Sequence, residues 1–279
     1  MQTPTHRVLG IIAGNGRYPF LMAESARAQG VERVVVVGFK DETDPALEKQ
    51  ADEFAWLRVG QLKKLCDYFQ RHGVENAVMA GQIAPGNLFS LRPDLKMLLL
   101  LAKLEERNAE TIFGAIADEL QKAGVKLLPA TTHLEDHLPQ AGLLAGPALS
   151  KQMEEDVAYG FRIAKECSRL DIGQSVVVKK GTILAVEAFE GTDATMKRGG
   201  ALGKGGTVLV KVSKPRQDFR FDVPVIGAKT LETAAEAGVA VVACEAKKTL
   251  LLDVEKLKQI ARQKKISVVA IAEEIKNHL

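Results

Sequence analysis

The first third of the chain alternates short apolar runs with helical segments, and this alternation constrains the fold more than any other feature. The apolar runs 7–13, 34–38 and 77–80 are typical of strands that are buried on both faces. The segments 20–30 and 61–72 have helical character, and each ends at or just before a glycine. Such an alternation predicts a parallel sheet with crossover helices, which is a Rossmann-like α/β domain.

Two glycine loops follow strands of this predicted sheet, one after residue 13 and one after residue 80. Ligands of such sheets bind beyond the carboxyl ends of the strands. The second loop continues to Asn87. The candidate substrate-binding residues of the two loops are Gly14, Asn15, Gly16, Gly81 and Gln82.

The first loop has two interpretations. In one, it is a strand-to-helix turn in which glycine supplies a positive φ. In the other, the helix N-terminus cradles a phosphate or a ribose. The loop lacks the third glycine of a dinucleotide fingerprint, and Gly38-Phe39-Lys40 stands where an acid would follow the second strand. The sequence therefore disfavours a hydride-transfer enzyme.

The helices and strands that alternate in the rest of the chain predict a second α/β domain after a linker. We divide the chain into a Rossmann-like domain (1–138), a linker (139–150) that is rich in Gly, Ala and Leu, and a C-terminal catalytic domain (151–279). Just before the linker, His133 and His137 resemble half a metal site, but the polar surroundings and the nearby proline favour a solvated turn. In the second domain the stretch Gly199–Gly206 predicts a mobile loop.

The segment 211–227 carries charged residues that alternate with apolar ones. In an extended chain successive side chains point to opposite faces. The face that would pack on a core carries Phe219, Phe221 and Val223. The opposite face would carry Arg216, Asp218, Arg220 and Asp222. This pattern fits a surface strand whose ion pairs contribute roughly 0 to 1 kcal/mol each, or a charged cluster that holds a phosphorylated substrate.

A second acidic stretch, Glu190-Gly191-Thr192-Asp193, follows a predicted strand over 182–189. A glycine bend places two carboxylates and a hydroxyl together there. An N-cap role would account for Asp193, but it would not account for Glu187 and Glu190 as well. Basic residues in or beside the glycine-rich stretch suit an anionic substrate.

Composition and missing motifs exclude several classes of protein. The net charge of +3 over 279 residues forms no basic stripe, which disfavours nucleic-acid binding. The three cysteines are far apart, which predicts neither a zinc site nor disulfides and indicates a reducing cytosol. The apolar run 97–104 is much shorter than the ~20 residues of a membrane span.

The charged stretches contain the side chains of metal-assisted phosphoryl chemistry. The histidines lie outside the charged loops of the second domain, and Gly-x-Ser-x-Gly does not occur, so a Ser-His-Asp hydrolase is disfavoured. The charged loops instead contain carboxylates, which can hold a divalent cation, and Lys and Arg side chains, which can bind phosphate oxygens.

Four motifs carry a family resemblance that covers the whole chain, and the three C-terminal ones are specific in their order: IIAGNGRYP, LDIGQSVVV, LAVEAFEGTDATMKR and KPRQDFRFDVPVIG. Together they resemble the UDP-2,3-diacylglucosamine pyrophosphatases of lipid A biosynthesis. The resemblance implies Mg²⁺-dependent hydrolysis of UDP-2,3-diacylglucosamine to UMP and 2,3-diacylglucosamine 1-phosphate (lipid X). It also implies two domains with the substrate cleft between them.

By this resemblance Asp222 is required for catalysis, and Glu190–Asp193 is a family motif. Water would attack a phosphorus of the pyrophosphate while the charge is neutralised electrostatically. Asp222 either holds Mg²⁺, together with Glu190 or Asp193, or is the base that orients the water. The catalytic candidates are Asp222, Asp193 and Arg220, and the metal-ligand candidates are Asp222 and Glu190. The remaining substrate-binding candidates are Gln174, Thr192, Arg198, Lys214 and Gln217.

Partners and rival functions follow from the same argument. The expected partner is an acylated UDP-sugar, with at most peripheral contact at the inner face of the inner membrane, in a cytoplasmic protein. The run Met97–Leu101 either lines the acyl chains or packs in a core. A homodimer is left open. The rival functions are a nucleotide-sugar or lipid-binding protein without hydrolase activity, and a sugar-nucleotide transferase.

Overall fold

The computed structural model describes residues 6–83, 93–106 and 109–272, and the chain divides into two compact units. The first unit comprises Met1–Glu135 and Asp218–Asp222, and the second comprises Asp136–Gln217 and Val223–Leu279. The five residues Asp218–Asp222 therefore fold with the first unit although both flanking segments fold with the second. Within the described residues, no helix is long and apolar enough to cross a membrane.

The first unit is built on a parallel sheet. Its strands are β1 (Val8–Ala13), β2 (Arg33–Phe39), β3 (Glu53–Leu57), β4 (Asn76–Ala80) and β5 (Lys126–Leu127), and its helices are α1 (Tyr18–Ala28), α2 (Leu62–Arg71), α3 (Leu95–Lys103) and α4 (Ala109–Lys122). The strand order is β3-β2-β1-β4-β5, and all neighbours are parallel. This confirms the predicted α/β architecture with crossover helices.

Strand β3 and the 3₁₀ helix Pro45–Gln50 were not predicted. The strand lies at the edge of the sheet, and most of its side chains are only half-buried or exposed. Its sequence therefore lacks the continuous apolar character of β2, whose residues 34–37 are fully buried.

The second unit contains a mixed sheet. Its strands are β6 (Gly142–Ala145), β7 (Ser175–Lys179), β8 (Thr182–Val186), β9 (Thr207–Lys211), β10 (Val225–Ile226), β11 (Val239–Glu245), β12 (Leu250–Leu251) and β13 (Ser267–Ile271). Its helices are α5 (Lys151–Arg169), α6 (Thr192–Gly203), α7 (Ala228–Glu236) and α8 (Val254–Lys264). The main sheet has the order β6-β13-β11-β9-β7-β8, in which β13, β11 and β9 are parallel, and β10 pairs separately with β12.

The segment that we predicted as a linker contains a strand of this sheet. Strand β6 pairs antiparallel with β13, and its Ala145 is buried in the core. Small residues gave this segment the composition of a loop. In the structure, Gly146 is required because its backbone lies close to that of Ile266: a Cβ at this position would lie 2.0 Å from the Ile266 carbonyl oxygen.

The predicted mobile loop over Gly199–Gly206 is wrong for its first half, which is the C-terminal part of α6. The glycines of this helix allow close packing instead of flexibility. A Cβ at Gly199 would lie 2.5 Å from a Val177 side-chain carbon, and one at Gly200 would lie 1.9 Å from the Ala237 carbonyl oxygen. The helix ends at Gly203, and the capping residue Lys204 has a left-handed backbone.

We predict that Gly200→Ala destabilises the protein by about 1–3 kcal/mol, because the added methyl group collides with backbone that cannot move without repacking α7. The measurement is the free energy of unfolding in urea.

The matched control is Gly114→Ala in α4, where an added Cβ has no atom within 4 Å. There we expect stabilisation of up to about 1 kcal/mol from helix propensity alone. A Gly200→Ala protein as stable as the wild type would show that the close helix packing is wrong.

Candidate active site

The two glycine loops meet at the crevice of the first sheet. The Gly14 amide donates to the Ala80 carbonyl at 2.8 Å, and the Asn15 amide donates to the Gln82 carbonyl at 2.8 Å. Asn15 and Gln82 form an antiparallel bridge. The loops follow β1 and β4, the neighbours between which the strand order reverses, and this is where open α/β sheets bind ligands.

Glycine is required in both loops because the two backbones nearly touch. A Cβ at Gly14 would lie 2.4 Å from the Gln82 carbonyl oxygen, and one at Gly81, where φ is +91°, would lie 2.5 Å from the Asn15 carbonyl oxygen. The expected positive φ is found at Gly16. The part of the second loop from Ala84 to Asn87 lies outside the described residues.

Sequence reasoning missed an acid at this crevice. The Asn15 side-chain amide donates to Glu42 Oε2 at 3.0 Å. The fingerprint of such a sheet predicts the acid directly after β2, at residues 38–40, whereas the chain first turns back and places the carboxylate a few residues later. The sequence signal for this turn is Thr43, whose hydroxyl links it to the end of β1 by donating to the Ala13 carbonyl.

The segment that contains Asp222 is a turn, so the predicted extended strand is wrong. The amides of Phe221 and Asp222 both donate to the Asp218 carbonyl, at 3.2 and 3.0 Å. The Asp218 side chain also accepts from the Arg220 amide at 3.0 Å, which is the pattern of an Asx turn. The proposed division into an aromatic face and a charged face therefore does not exist.

This turn is held within the first unit by backbone and aromatic contacts. The Ala130 amide donates to the Phe219 carbonyl at 2.7 Å. The ring of Phe221 stacks on that of Phe113, with centroids 5.4 Å apart and planes inclined by 27°. These contacts place the Asp222 turn on the loop that follows β5.

The same loop residue connects the turn to the first glycine loop. The Tyr18 hydroxyl, at the start of α1, donates to the Ala130 carbonyl. Burial raises the pKa of Tyr18, so its hydroxyl keeps the proton that it donates. Ala130 therefore joins the helix after Gly14–Gly16 to the turn that carries Asp222.

Arg220 forms a two-pronged ion pair inside the turn. Its Nε and Nη2 donate to Asp218 at 3.0 and 2.7 Å, and its guanidinium lies 5.9 Å from the Phe221 ring centroid. Hydrogen bonding to Arg220 lowers the pKa of Asp218. Asp222 is half-buried.

The Glu190–Asp193 stretch lies in the second unit, where it begins α6. Glu190 accepts from Arg198 at 2.5 Å and from the Ala188 amide at 3.1 Å. Hydrogen bonds from its own backbone amide and from Arg198 lower the pKa of Glu190. The N-cap of α6 is Gly191, so the suggested capping role of Asp193 is wrong. Asp193 is exposed, 3.8 Å from the Lys229 ammonium.

Other predicted binding residues of the second unit bond to their neighbours. The Thr192 hydroxyl donates to Glu187 Oε1 at 2.9 Å and lies 3.3 Å from the Lys211 ammonium. Glu187 Oε2 is buried, with no hydrogen-bond partner in the described part of the chain.

Three further candidates surround the exit of the chain from β9. Lys214 pairs with Asp171, and its amide donates to the Gln217 side chain at 2.6 Å. The Gln174 carbonyl accepts from the Val212 amide at 2.9 Å. These contacts explain the local folding of the three residues, and their predicted role in substrate binding stays a prediction.

The donor set fits a magnesium ion only in part. In residues 6–83, 93–106 and 109–272, no group of three or more His, Cys, Asp or Glu side chains could hold a metal. Glu190 does not fit, because both of its carboxylate oxygens accept hydrogen bonds from the protein. Mg²⁺ is commonly held by one or two protein carboxylates together with substrate phosphates and water, so a set of three protein ligands is not required, and the role of Asp222 as a metal ligand stays a prediction.

The prediction of a solvated turn is wrong for His133, which is 1% exposed. Its Nδ1 lies 2.8 Å from Gln29 Oε1, and its carbonyl accepts from the Ser25 hydroxyl at 2.5 Å. Burial lowers the pKa of His133. This residue packs the loop after β5 onto α1 and binds no metal with its described neighbours.

The motif Glu190–Asp193 belongs to the second unit, and Asp222 to the first. The pocket that we predicted between these stretches, and the substrate cleft between the domains, therefore stay predictions.

Comparison with known proteins identifies the family to which the chain belongs. The LpxI N-terminal domain model matches residues 8–137, and the LpxI C-terminal domain model matches residues 140–269. The chain belongs to the LpxI family. A relative from Caulobacter vibrioides, named UDP-2,3-diacylglucosamine pyrophosphatase LpxI, is 32% identical to this LpxI-family chain over 261 residues, covering 89% of this chain and 92% of the relative.

Among solved structures, the biotin carboxylase subunit of pyruvate carboxylase aligns with 64% of this LpxI-family chain and 35% of its own length. The sequence identity is 14% and the TM-score is 0.24. This likeness carries no argument about fold or function.

Proposed function

We propose that this chain is a hydrolase that cleaves the pyrophosphate bond of UDP-2,3-diacylglucosamine and releases UMP and 2,3-diacylglucosamine 1-phosphate, a step of lipid A biosynthesis. Membership of the LpxI family and the name of the Caulobacter relative support the substrate and the reaction. The observation that carries the site is the connection of the Asp222 turn, through Ala130, to the helix that follows the first glycine loop.

In the proposed reaction a water oxygen forms a bond to a phosphorus of the pyrophosphate, and the bond from that phosphorus to the bridging oxygen breaks. Asp222 accepts a proton of the attacking water, and the bridging oxygen departs with the other phosphate. In the alternative role of Asp222, its carboxylate would hold Mg²⁺, which would supply neutralisation of the charge that develops on the phosphate oxygens.

Arg220 holds the turn in this proposal and presents its remaining edge to phosphate. Asp218 accepts from its Nε and Nη2, and a guanidinium has five N–H donors in a fixed fork. Lys214 and Arg198 are each paired with a carboxylate, so binding of phosphate by either would require that pair to open.

An acylated substrate also requires apolar surface, and α3 offers one. Met97 and Leu100 pack in the core of the first unit, whereas Leu95, Leu98 and Leu99 are 71%, 50% and 55% exposed. The helix therefore has one face that packs in the core and one exposed apolar face. We propose that the exposed face contacts the acyl chains while a cytoplasmic enzyme draws its substrate from the inner face of the inner membrane. A homodimer stays a prediction.

For Asp222→Asn we predict a loss of kcat of about 10²-fold or more, because the carboxylate that receives the proton of water is removed. The measurement is release of radiolabelled UMP, together with the urea midpoint to show that the variant is folded. Asp67→Asn, on the surface of α2, is the matched control and should keep full activity. Near-normal turnover by a folded Asp222→Asn protein would eliminate the assignment.

For the double variant Leu98→Gln/Leu99→Gln we predict a higher KM for the diacylated substrate with little change in kcat, because apolar contact area is lost outside the reacting centre. Leu143→Gln in the second unit, where the side chain is 48% exposed, is the control. An unchanged KM in the α3 variant would remove this face from the substrate path.

Two assays separate the rival functions. A binding protein without hydrolase activity would release no UMP in the presence of Mg²⁺. A sugar-nucleotide transferase would need an acceptor other than water, so turnover with the acceptor omitted argues for hydrolysis.

A further inference from the structure

Four polar side chains of the second unit converge at one end of its main sheet. Ser175 begins β7 and is the register partner of Lys211, the last residue of β9. Glu187 directly follows β8, and its amide donates to the Ser175 carbonyl at 2.8 Å. Thr192 is the first residue of α6, the helix that follows β8. The cluster therefore lies where the carboxyl ends of two strands meet the N-terminus of a helix, a place at which α/β sheets bind ligands.

Thr192 connects the acid of this cluster to the base. Its hydroxyl has one proton, which it donates to Glu187 Oε1 at 2.9 Å, so the Thr192 oxygen can only accept from its other neighbours. The Lys211 ammonium donates to that oxygen at 3.3 Å, and the hydroxyl of Ser175, a fully buried residue, lies 3.4 Å from it. The Glu187 carboxylate thus orients Thr192, and Thr192 in turn holds the ammonium.

Lys211 differs from the basic residues already considered for phosphate binding. Arg198, Lys214 and Arg220 are each paired with a carboxylate. Lys211 is half-buried and is bonded to a hydroxyl instead, and it forms no ion pair with any residue that the structure describes. An ammonium has three N–H donors, so the bond to Thr192 leaves two for a ligand. Because Lys211 is partly shielded from water, its charge attracts an anion more strongly than the charge of a fully exposed lysine.

We propose that Lys211 is a substrate-binding residue whose ammonium binds a phosphate group of the substrate pyrophosphate. The N-terminus of α6 adds to the positive potential there, since the helix has no side-chain cap. The acid of its first turn, Asp193, is exposed and lies 3.8 Å from the Lys229 ammonium, which offsets its charge. Glu187 Oε1 accepts from Thr192 and Oε2 is buried, so this carboxylate is a positioning residue and does not contact the ligand. The inference rests on the proposed function and deepens it.

The test compares each product with its dephosphorylated form: UMP with uridine, and 2,3-diacylglucosamine 1-phosphate with 2,3-diacylglucosamine. Binding to the full chain is measured by calorimetry. A hydrogen bond between charged groups corresponds to roughly 10- to 100-fold in affinity. The wild type should prefer at least one phosphorylated product over its dephosphorylated form, and Lys211→Met should reduce that preference by this factor. Lys211→Arg, which keeps the charge, should retain most of the preference.

The comparison separates binding of phosphate from a purely structural role. If Lys211 only compensated the charge of Glu187, Lys211→Met would lower the urea midpoint and weaken binding of both members of a pair alike. The matched control is Lys180→Met, which removes an exposed lysine from the turn at the opposite end of β7 and should leave the preference unchanged. An undiminished preference in folded Lys211→Met, an equal loss for both members of a pair, or no preference in the wild type overturns the inference.

The two products identify which phosphate Lys211 binds. A loss confined to UMP assigns Lys211 to the nucleotide phosphate, and a loss confined to 2,3-diacylglucosamine 1-phosphate assigns it to the sugar phosphate; either result supports the inference. Hydrolysis of UDP-2,3-diacylglucosamine by the wild type is measured independently. Hydrolysis together with an undiminished preference in Lys211→Met overturns this inference alone. A preference that is lost in Lys211→Met, without hydrolysis by the wild type, supports the inference and contradicts the proposed function.

Discussion

The hydrogen bond from the Ala130 amide to the Phe219 carbonyl, 2.7 Å long, is the contact on which the proposed site depends. It holds five residues of the C-terminal half within the first unit, and the stacked rings of Phe113 and Phe221 reinforce it. Through these contacts the turn that carries Asp222 shares the loop residue Ala130 with the helix that follows the first glycine loop.

The other end of the motif is fixed in the second unit by a buried carboxylate. Glu245, 1% exposed, accepts from the Ser213 amide and hydroxyl at 2.9 and 2.7 Å and from the ammonium groups of Lys165 and Lys248 at 3.1 and 2.7 Å. Burial alone would raise the pKa of Glu245, but these hydrogen bonds outweigh it and hold the pKa below its ordinary range. A buried charge is tolerated when it is paired and hydrogen-bonded in this way. The chain just after β9 is therefore held at Ser213 by the Glu245 carboxylate.

The sequence predicts most of the first sheet, because strands buried on both faces must be continuously apolar and glycine must stand where two backbones nearly touch, as at Gly14 and Gly81. Prediction from the sequence fails where the contacts of individual residues produce a structure that differs from the one typical of the local sequence pattern. Asp218 bends an alternating segment into a turn, and the glycines of α6 allow close packing that composition cannot distinguish from flexibility. The sequence does not indicate Glu42 as a residue of the crevice, because its position depends on the hydrogen bond from the Thr43 hydroxyl to the distant Ala13 carbonyl. That Asp218–Asp222 folds with the first unit follows from long-range contacts that no local pattern contains.

The most direct test of this account is a double-mutant cycle on Phe113 and Phe221, read as kcat for hydrolysis of UDP-2,3-diacylglucosamine. If the stacked pair holds the Asp222 turn, Phe113→Leu and Phe221→Leu each lower kcat, and the double variant is no slower than the worse single variant, because both remove one interaction. Full activity in Phe221→Leu, or losses that multiply in the double variant, would contradict the claim that this aromatic contact positions the catalytic carboxylate.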